Sequence, residues 1–247
     1  MGRIWAVGDI HGEAAKLDTL LRALPREAGD YTVFLGDYID RGPDSAAVLR
    51  RVLAEYDSAP HHTILLWGNH EDMAAEHFGF PAPSEYAYDS YDWFRNGGTE
   101  ALESFGLRKP DLFAAPCPAE MERLFPLLRL HWQATDSGED APDLARYLFV
   151  HAGVMPGIPL ERQTAETFLW VRGDFLKSYD PSGRVVVHGH TPFDAVRVQP
   201  DKIGIDTGAA YGGRLTALEL PARRVYQAGS AGTVKIEEIP EVDATVA

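Results

Sequence analysis

Ile4-Trp5-Ala6-Val7-Gly8-Asp9-Ile10-His11-Gly12 decides the fold, because four apolar residues run straight into a polar cluster of metal-ligand type. The apolar run predicts a short buried strand, and Ala14, Leu17, Leu20, Leu21 and Leu24 then recur at helical spacing. The pattern repeats. Tyr31 to Leu35 reads as a second strand ending in Gly36-Asp37-Tyr38-Ile39-Asp40-Arg41-Gly42, and Ser45 to Tyr56 as a helix with Ala46, Val48, Leu49, Val52 and Leu53 on its apolar side. Thr63 to Trp67 reads as a third strand, followed directly by Gly68-Asn69-His70-Glu71. A β-α-β-α-β order implies parallel strands with right-handed crossovers, and ligands of such sheets gather beyond the strand C-termini. Three loops of ligand-type residues therefore converge on one sheet edge.

Residues 72–146 differ in character, mixing the aromatics Phe78, Tyr86, Tyr88, Tyr91, Trp93 and Phe94 with prolines and the helical stretches Thr99 to Phe105 and Ala119 to Leu128. They read as a helical insertion beside the site, with the aromatics in packing roles. Asn96-Gly97-Gly98 reads as a turn bordering the pocket, without a catalytic role. After Arg146 strands return at Tyr147 to Val150, Val185 to Val187, Ala195 to Val198, Ile203 to Asp206 and Leu215 to Leu220. These predict a second, mixed or antiparallel sheet packed on the first. Two of its strands again end in histidines, at His151-Ala152-Gly153 and His188-Gly189-His190-Thr191. The expected architecture is α/β (α+β), one catalytic domain over residues 1–240 with a frayed acidic tail at 241–247.

Of the 247 residues, 45% are hydrophobic and 24% charged, an ordinary globular balance. No stretch approaches the roughly 18 consecutive apolar residues of a membrane span. The start, Met1-Gly2-Arg3-Ile4-Trp5, has no apolar signal-peptide core, and Ala6 occupies the position where myristoylation wants Ser or Thr. One cysteine, Cys117, excludes an internal disulfide framework and a multi-thiolate metal site, so a reducing cytoplasm is expected. The net charge of -14 argues against a nucleic-acid ligand. A phosphate substrate would also be repelled on average, so positive charge must be concentrated locally, by metals or arginines.

Asp9-x-His11, Asp37-x-x-Asp40-Arg41-Gly42, Asn69-His70-Glu71, His151 and Gly189-His190-Thr191 follow one another as the ordered motif set of the phosphoprotein phosphatases do. From about residue 8 to residue 191 the chain resembles that branch of the calcineurin-like metallophosphoesterases, including its bacterial and bacteriophage lambda-type members. The resemblance implies a four-layer sandwich of two packed mixed β-sheets flanked by helices. It also implies two divalent ions, one held by Asp9, His11 and Asp37, the other by Asp37, Asn69, His151 and His190, with the Asp37 carboxylate shared. A shared carboxylate holds two cations within about 3.5–4 Å. Two carboxylates leave two divalent ions short of neutrality by about two charges, which leaves room for a bridging hydroxide and a phosphate. Metal binding lowers the pKa of water to about 7, so that hydroxide is the expected nucleophile.

By the same resemblance His70 is the acid that protonates the leaving oxygen, oriented by Asp40. Arg41, Arg172 of Trp170-Val171-Arg172, and Asn69 are expected on the substrate phosphate, arginine being suited by its planar fork. Imidazole, amide and carboxylate without thiolate suit Mn, Fe, Zn or Co over Ca or Mg without choosing among the four, and Mn is taken as the first expectation. His61, His62, His77 and His131 are expected in surface or structural roles. His188 is placed with them although strand alternation would point it the same way as His190. Asp206-Thr207-Gly208 is expected to be a structural strand end near the site.

The expected activity is that of a phosphomonoesterase acting on phosphoserine and phosphothreonine in proteins, or on a small phosphoester, without a nucleic-acid or membrane partner. The alternatives are a symmetrical dinucleoside tetraphosphate hydrolase with the same metal core, and a catalytically inactive binding module.

Overall fold

The opening alternation folds into β1 (Ile4–Val7), α1 (Ala14–Ala23), β2 (Tyr31–Phe34), α2 (Ser45–Ser58) and β3 (Thr63–Leu65). The computed structural model describes residues 2–107, 114–137 and 143–242, so parts of the anticipated insertion and most of the anticipated tail lie outside the described residues. α2 starts where the Asp44 side chain accepts the Ala47 N–H at 2.8 Å, an N-cap that satisfies an otherwise orphaned donor. β3 ends earlier than expected, although the Leu66 N–H still bonds the Phe34 carbonyl at 3.0 Å and the Arg129 carbonyl accepts the Trp67 N–H at 2.9 Å.

The third motif is no loop. Asn69, His70 and Glu71 form the first turn of α3 (Asn69–His77), and Glu71 accepts the Gly68 N–H there at 3.1 Å. Beyond it come α4 (Ser90–Trp93), a kinked turn over Phe94–Gly98 in which Gly97 leaves helical geometry, α5 (Thr99–Ser104) and α6 (Ala119–Leu124). The stretch anticipated as helical to residue 146 also contains a strand, β4 (His131–Gln133), paired antiparallel with β5 (Tyr147–Val150). Next in the chain are α7 (Ala165–Trp170), α8 (Gly173–Lys177), β6 (Val185–His188), β7 (Arg197–Val198), β8 (Lys202–Gly204), β9 (Leu215–Leu220), β10 (Arg224–Ala228) and β11 (Val234–Glu238).

Two mixed sheets result, ordered β11-β10-β9-β1-β2-β3 and β4-β5-β6-β8-β7. One expectation is corrected. Leu215 to Leu220 belongs to the first sheet, where β9 runs antiparallel to β1 with Ile4 opposite Leu220 and Val7 opposite Ala217. The strand is buried throughout, so its composition suits either sheet, and only the long-range pairing decides.

Strand alternation sorts the layers. From the first sheet Ile4, Ala6, Val33, Leu35, Leu218 and Leu220 meet Tyr147, Phe149, Val185, Val187 and Ile203 of the second. The opposite face, with Trp5, Val7, Phe34 and Ala217, packs on Leu17, Leu20 and Leu21 of α1 and Val48, Leu49 and Val52 of α2. On the far side of the second sheet Leu148, Val150 and Val186 pack on Phe168 of α7 and Phe175 of α8. The order is therefore helices, sheet, sheet, helices, and the C-terminal ends of β1, β2, β3, β5 and β6 all carry the polar motifs. Among the described residues no helix is long and apolar enough to cross a membrane.

Candidate metal centre

The motif loops are held in unusual backbone. His11, Asp37, Asp40, Arg41 and His190 have φ of 45°, 51°, 74°, 64° and 64°. Non-glycine residues seldom occupy this left-handed region, which costs of order 1–3 kcal/mol each and persists at functional sites where the surroundings over-determine it. Here the loops determine one another. The Asp37 carbonyl accepts the Ile10 and His11 N–H groups at 3.0 and 2.9 Å, and the Tyr38 carbonyl accepts the Gly12 N–H at 2.9 Å. Glu71 adds a brace from α3, its two carboxylate oxygens accepting backbone N–H bonds from Asp37, Tyr38 and Ile39.

Asp37 stands at the middle of the cluster. Its Oδ2 lies 3.3 Å from His11 Nε2 and 4.0 Å from His70 Nε2, and its Oδ1 lies 3.4 Å from His151 Nε2. His151 Nε2 is in turn 2.9 Å from Asn69 Oδ1 and 3.2 Å from His190 Nδ1, with 2.9 Å between the last two. Two groups of ligand atoms thus share one carboxylate: His11, Asp37 and His70, and Asp37, His151 and His190.

The tautomers follow from the outer hydrogen bonds. His11 Nδ1 donates to the Ile39 carbonyl at 2.8 Å and His151 Nδ1 to the Leu35 carbonyl at 2.9 Å, leaving both Nε2 atoms as inward-facing lone pairs. In the second group, Asp37 Oδ1, Asn69 Oδ1 and His151 Nε2 are all acceptors, and His190 supplies at most one proton. Such a donor-poor, buried cage fits a cation. Asp9 Oδ1 and His70 Nε2 are also buried without a hydrogen-bond partner among the described residues.

Asp9 stands close by but outside both tight groups. Its Oδ2 accepts the His190 N–H at 2.9 Å, and a Cβ at Gly189 would lie 1.9 Å from its Oδ1, so the His190 loop passes directly over it. His70 sits nearer the first group than sequence implied, yet its Nδ1 is committed to Asp40 Oδ2 at 2.6 Å. Arg41 Nη1 is 2.8 Å from His11 Nε2, and Arg172 Nε donates to His190 Nε2 at 3.0 Å, so one guanidinium flanks each group.

Burial dominates protonation here. It holds His70 and His190 well below the ordinary imidazole range and lowers His151. It also pushes Asp9 well up, helped by the charges of Asp206 and Asp37, and Asp40 well up, helped by Glu71. Asp37 is the exception: burial acts upward, but His151, His70 and His11 outweigh it and hold the carboxyl well below its usual range. A carboxylate surrounded by imidazoles remains charged and available to a cation.

His188 stays apart. Its ring packs edge-on against Phe175 at 5.0 Å, its Nδ1 meets the Gly189 carbonyl at 3.1 Å, and burial pushes it down to about 4. Alternation fails between His188 and His190 because His190 has left the strand with φ of 64°. Asp206 is buried beside the centre, where its Oδ1 accepts the Gly208 N–H at 2.9 Å. Sequence reading placed Trp93, whose indole donates to Asp40, in packing, and gave no role to Tyr211, over whose ring the Arg41 guanidinium lies at 5.4 Å. The Asn96-Gly97-Gly98 turn after Trp93 was its one visible signal.

A family model described as calcineurin-like phosphoesterase matches residues 2–244. The chain belongs to that family. Among relatives of this phosphoesterase, serine/threonine-protein phosphatase 2 of Escherichia coli (strain K12) is 31% identical over 225 residues, covering 86% of this chain and 90% of its own. The symmetrical bis(5'-nucleosyl)-tetraphosphatase of Bordetella pertussis (strain Tohama I / ATCC BAA-589 / NCTC 13251) is 28% identical over 269 residues, covering 92% and 95%. A cold-active protein-tyrosine phosphatase of a psychrophilic Shewanella species shares the fold, with a TM-score of 0.61 at 18% identity over 96% of this chain and 80% of that one.

Proposed function

We propose that this phosphoesterase is a metal-dependent phosphomonoesterase acting on phosphoserine and phosphothreonine side chains. The observation that carries the reading is the Asp37 carboxylate shared between two ligand groups, with the buried His70 Nε2 4.0 Å from its Oδ2. Asp9, His11 and Asp37 would hold one divalent ion and Asp37, Asn69, His151 and His190 the second, with Mn the first choice for this donor set. When bound, the ions supply Lewis acidity and a water of lowered pKa. Arg41 and Arg172, one beside each group, would grip the phosphoryl oxygens together with Asn69. His70, held through Nδ1 by Asp40, would pass a proton from Nε2 to the leaving oxygen, with the Asp37 charge and a dianionic substrate offsetting the burial that disfavours its imidazolium.

The 31% identical protein phosphatase supports the phosphomonoester. A second reading, dinucleoside tetraphosphate hydrolysis, is favoured by the Bordetella relative and by Tyr211, 61% exposed beside Arg41 and so able to stack a base. Rates with Mn on a phosphothreonine peptide, para-nitrophenyl phosphate and diadenosine tetraphosphate separate the two. A preference of orders of magnitude for the dinucleotide overturns the first reading. Asp37→Asn and His70→Asn variants as active as the wild type would show the site to be a binding module instead.

A further inference from the structure

Asp40 is buried completely, and His70 is not its only partner. The Trp93 indole Nε1 lies 3.1 Å from Asp40 Oδ1 and 2.9 Å from Asp40 Oδ2, the oxygen that also meets His70 Nδ1 at 2.6 Å. An indole N–H can only donate, and its bond to Asp40 favours the ionised carboxylate, the form that accepts from His70 Nδ1. In that form the imidazole proton lies on Nδ1, and Nε2, buried and without a hydrogen-bond partner among the described residues, is the atom able to carry the working proton.

Trp93 is itself held rigidly. It is fully buried, stacks on Phe94 at 5.5 Å, and lies so close to Gly98 that a Cβ there would come within 2.6 Å of the ring. Gly97, between them, presses on the Asp40-Arg41 backbone: its Cβ would fall 2.4 Å from the Arg41 nitrogen. The segment following α3 therefore reaches the carboxylate behind the proposed acid through one side chain and one backbone contact.

We propose that Trp93 is a positioning residue for proton delivery, orienting Asp40 and through it His70. This rests on the phosphomonoesterase reading above. In that reaction water adds to phosphorus as the phosphorus–oxygen ester bond breaks. The bonding pair goes to the leaving oxygen, and the His70 Nε2 proton joins it to give the alcohol, with His70 later reprotonated from solvent. Trp93 touches neither substrate nor a ligand group, so its effect should appear only where the leaving oxygen needs that proton.

The test compares Trp93→Phe with wild type, both loaded with Mn, on phenyl phosphate and on 2,4-dinitrophenyl phosphate, whose phenolate departs without help. The Phe variant should lose about 10- to 100-fold in kcat on the phenyl ester and less than about threefold on the dinitrophenyl ester, with KM unchanged on both. Equal losses on the two esters, or no loss on either, overturn the proposal and leave Trp93 a packing residue. Wild type inactive on both esters would instead sink the phosphomonoesterase reading, and this proposal with it. Should Trp93→Phe melt early, β-(3-benzothienyl)alanine at position 93 keeps the bicyclic shape and replaces the N–H by sulfur. It must reproduce the ester-dependent loss at wild-type Tm, and full activity on phenyl phosphate would refute the role.

Discussion

The Glu71 carboxylate accepts the Asp37 backbone N–H at 2.8 Å, tying the first turn of α3 to the loop that carries the shared carboxylate. Its Oε2 also accepts from Gly68 at 3.1 Å, while Oε1 accepts from Tyr38 at 2.9 Å and Ile39 at 3.3 Å. Burial and the Asp37 charge push Glu71 up to about 8, against the backbone donors that favour its charged form. Glu71→Gln would place an amide N–H₂ against two of these N–H groups and leave them unpaired. Urea unfolding should show a loss of about 2–4 kcal/mol, with Mn affinity weakened because Asp37 loses its fixed backbone. Unchanged stability and unchanged Mn titration would mean the brace is dispensable.

A cation in the cage should stabilise the folded chain, since the ligand atoms converge only when folded. At about 100 times its dissociation constant one ion contributes about 2.7 kcal/mol, and a chain of this size gains about 2–4 °C per kcal/mol. Calorimetry of chelator-treated protein should therefore show Tm rising by about 5–10 °C when Mn is restored, with phosphoesterase activity returning in parallel. The same rise in an Asp37→Asn, His151→Ala double variant would show that the ion binds elsewhere.

What sequence could reveal tracks how local the interaction is. β1, α1, β2 and α2 were legible because their apolar periodicity and the ligand-rich loops after them agree. The partner of Leu215 to Leu220 was not, because a strand buried on both faces suits either sheet. α7 and α8 span six and five residues, too short for a period to show. β11 hid behind its charged, exposed residues. Within the site the ligand-type residues declared themselves by chemical type. Trp93 did not, since its bond to Asp40 spans 53 residues and an indole in an aromatic-rich stretch looks like packing. His188 was ambiguous for a geometric reason, as the left-handed turn at His190 cancels the alternation that would have aligned the two rings.

Asp30 offers a pH test away from the centre. Its side chain, 5% exposed, accepts from Trp5 Nε1 at 3.0 Å, the Arg3 N–H at 2.9 Å and the Glu27 N–H at 3.0 Å, and pairs with the Arg3 guanidinium at 2.9 Å. Burial acts upward, but the Trp5, Glu27 and Arg3 donors outweigh it and hold the carboxyl below the usual aspartate range. A carboxyl lowered on folding contributes stability that is present above the unfolded value and lost as pH falls through the folded one. Asp30→Asn should therefore cost about 2–3 kcal/mol near neutral pH. Denaturant titrations should show that gap constant from about pH 7 to 5 and closing below about pH 4. A gap that persists undiminished at the acid end would assign the loss to packing.

Two glycines in the segment after α3 separate backbone freedom from close approach. Gly97 has φ of 112° and Gly106 φ of 84°, so alanine at either must enter a region that L residues disfavour. A Cβ at Gly106 meets no heavy atom of the described residues within 4 Å, whereas one at Gly97 falls 2.4 Å from the Arg41 nitrogen and 3.0 Å from Asp40 Cβ. The Arg41 backbone cannot yield cheaply, because it is itself at φ of 64° and continuous with Asp40. Gly106→Ala should cost about 1 kcal/mol in urea unfolding and leave kcat unchanged. Gly97→Ala should cost about 3 kcal/mol or more and, by shifting Asp40 and the imidazole it orients, lower kcat at least about tenfold. Were the two variants to lose equal stability and keep equal activity, the Gly97 contact would not be what sets the Asp40 turn.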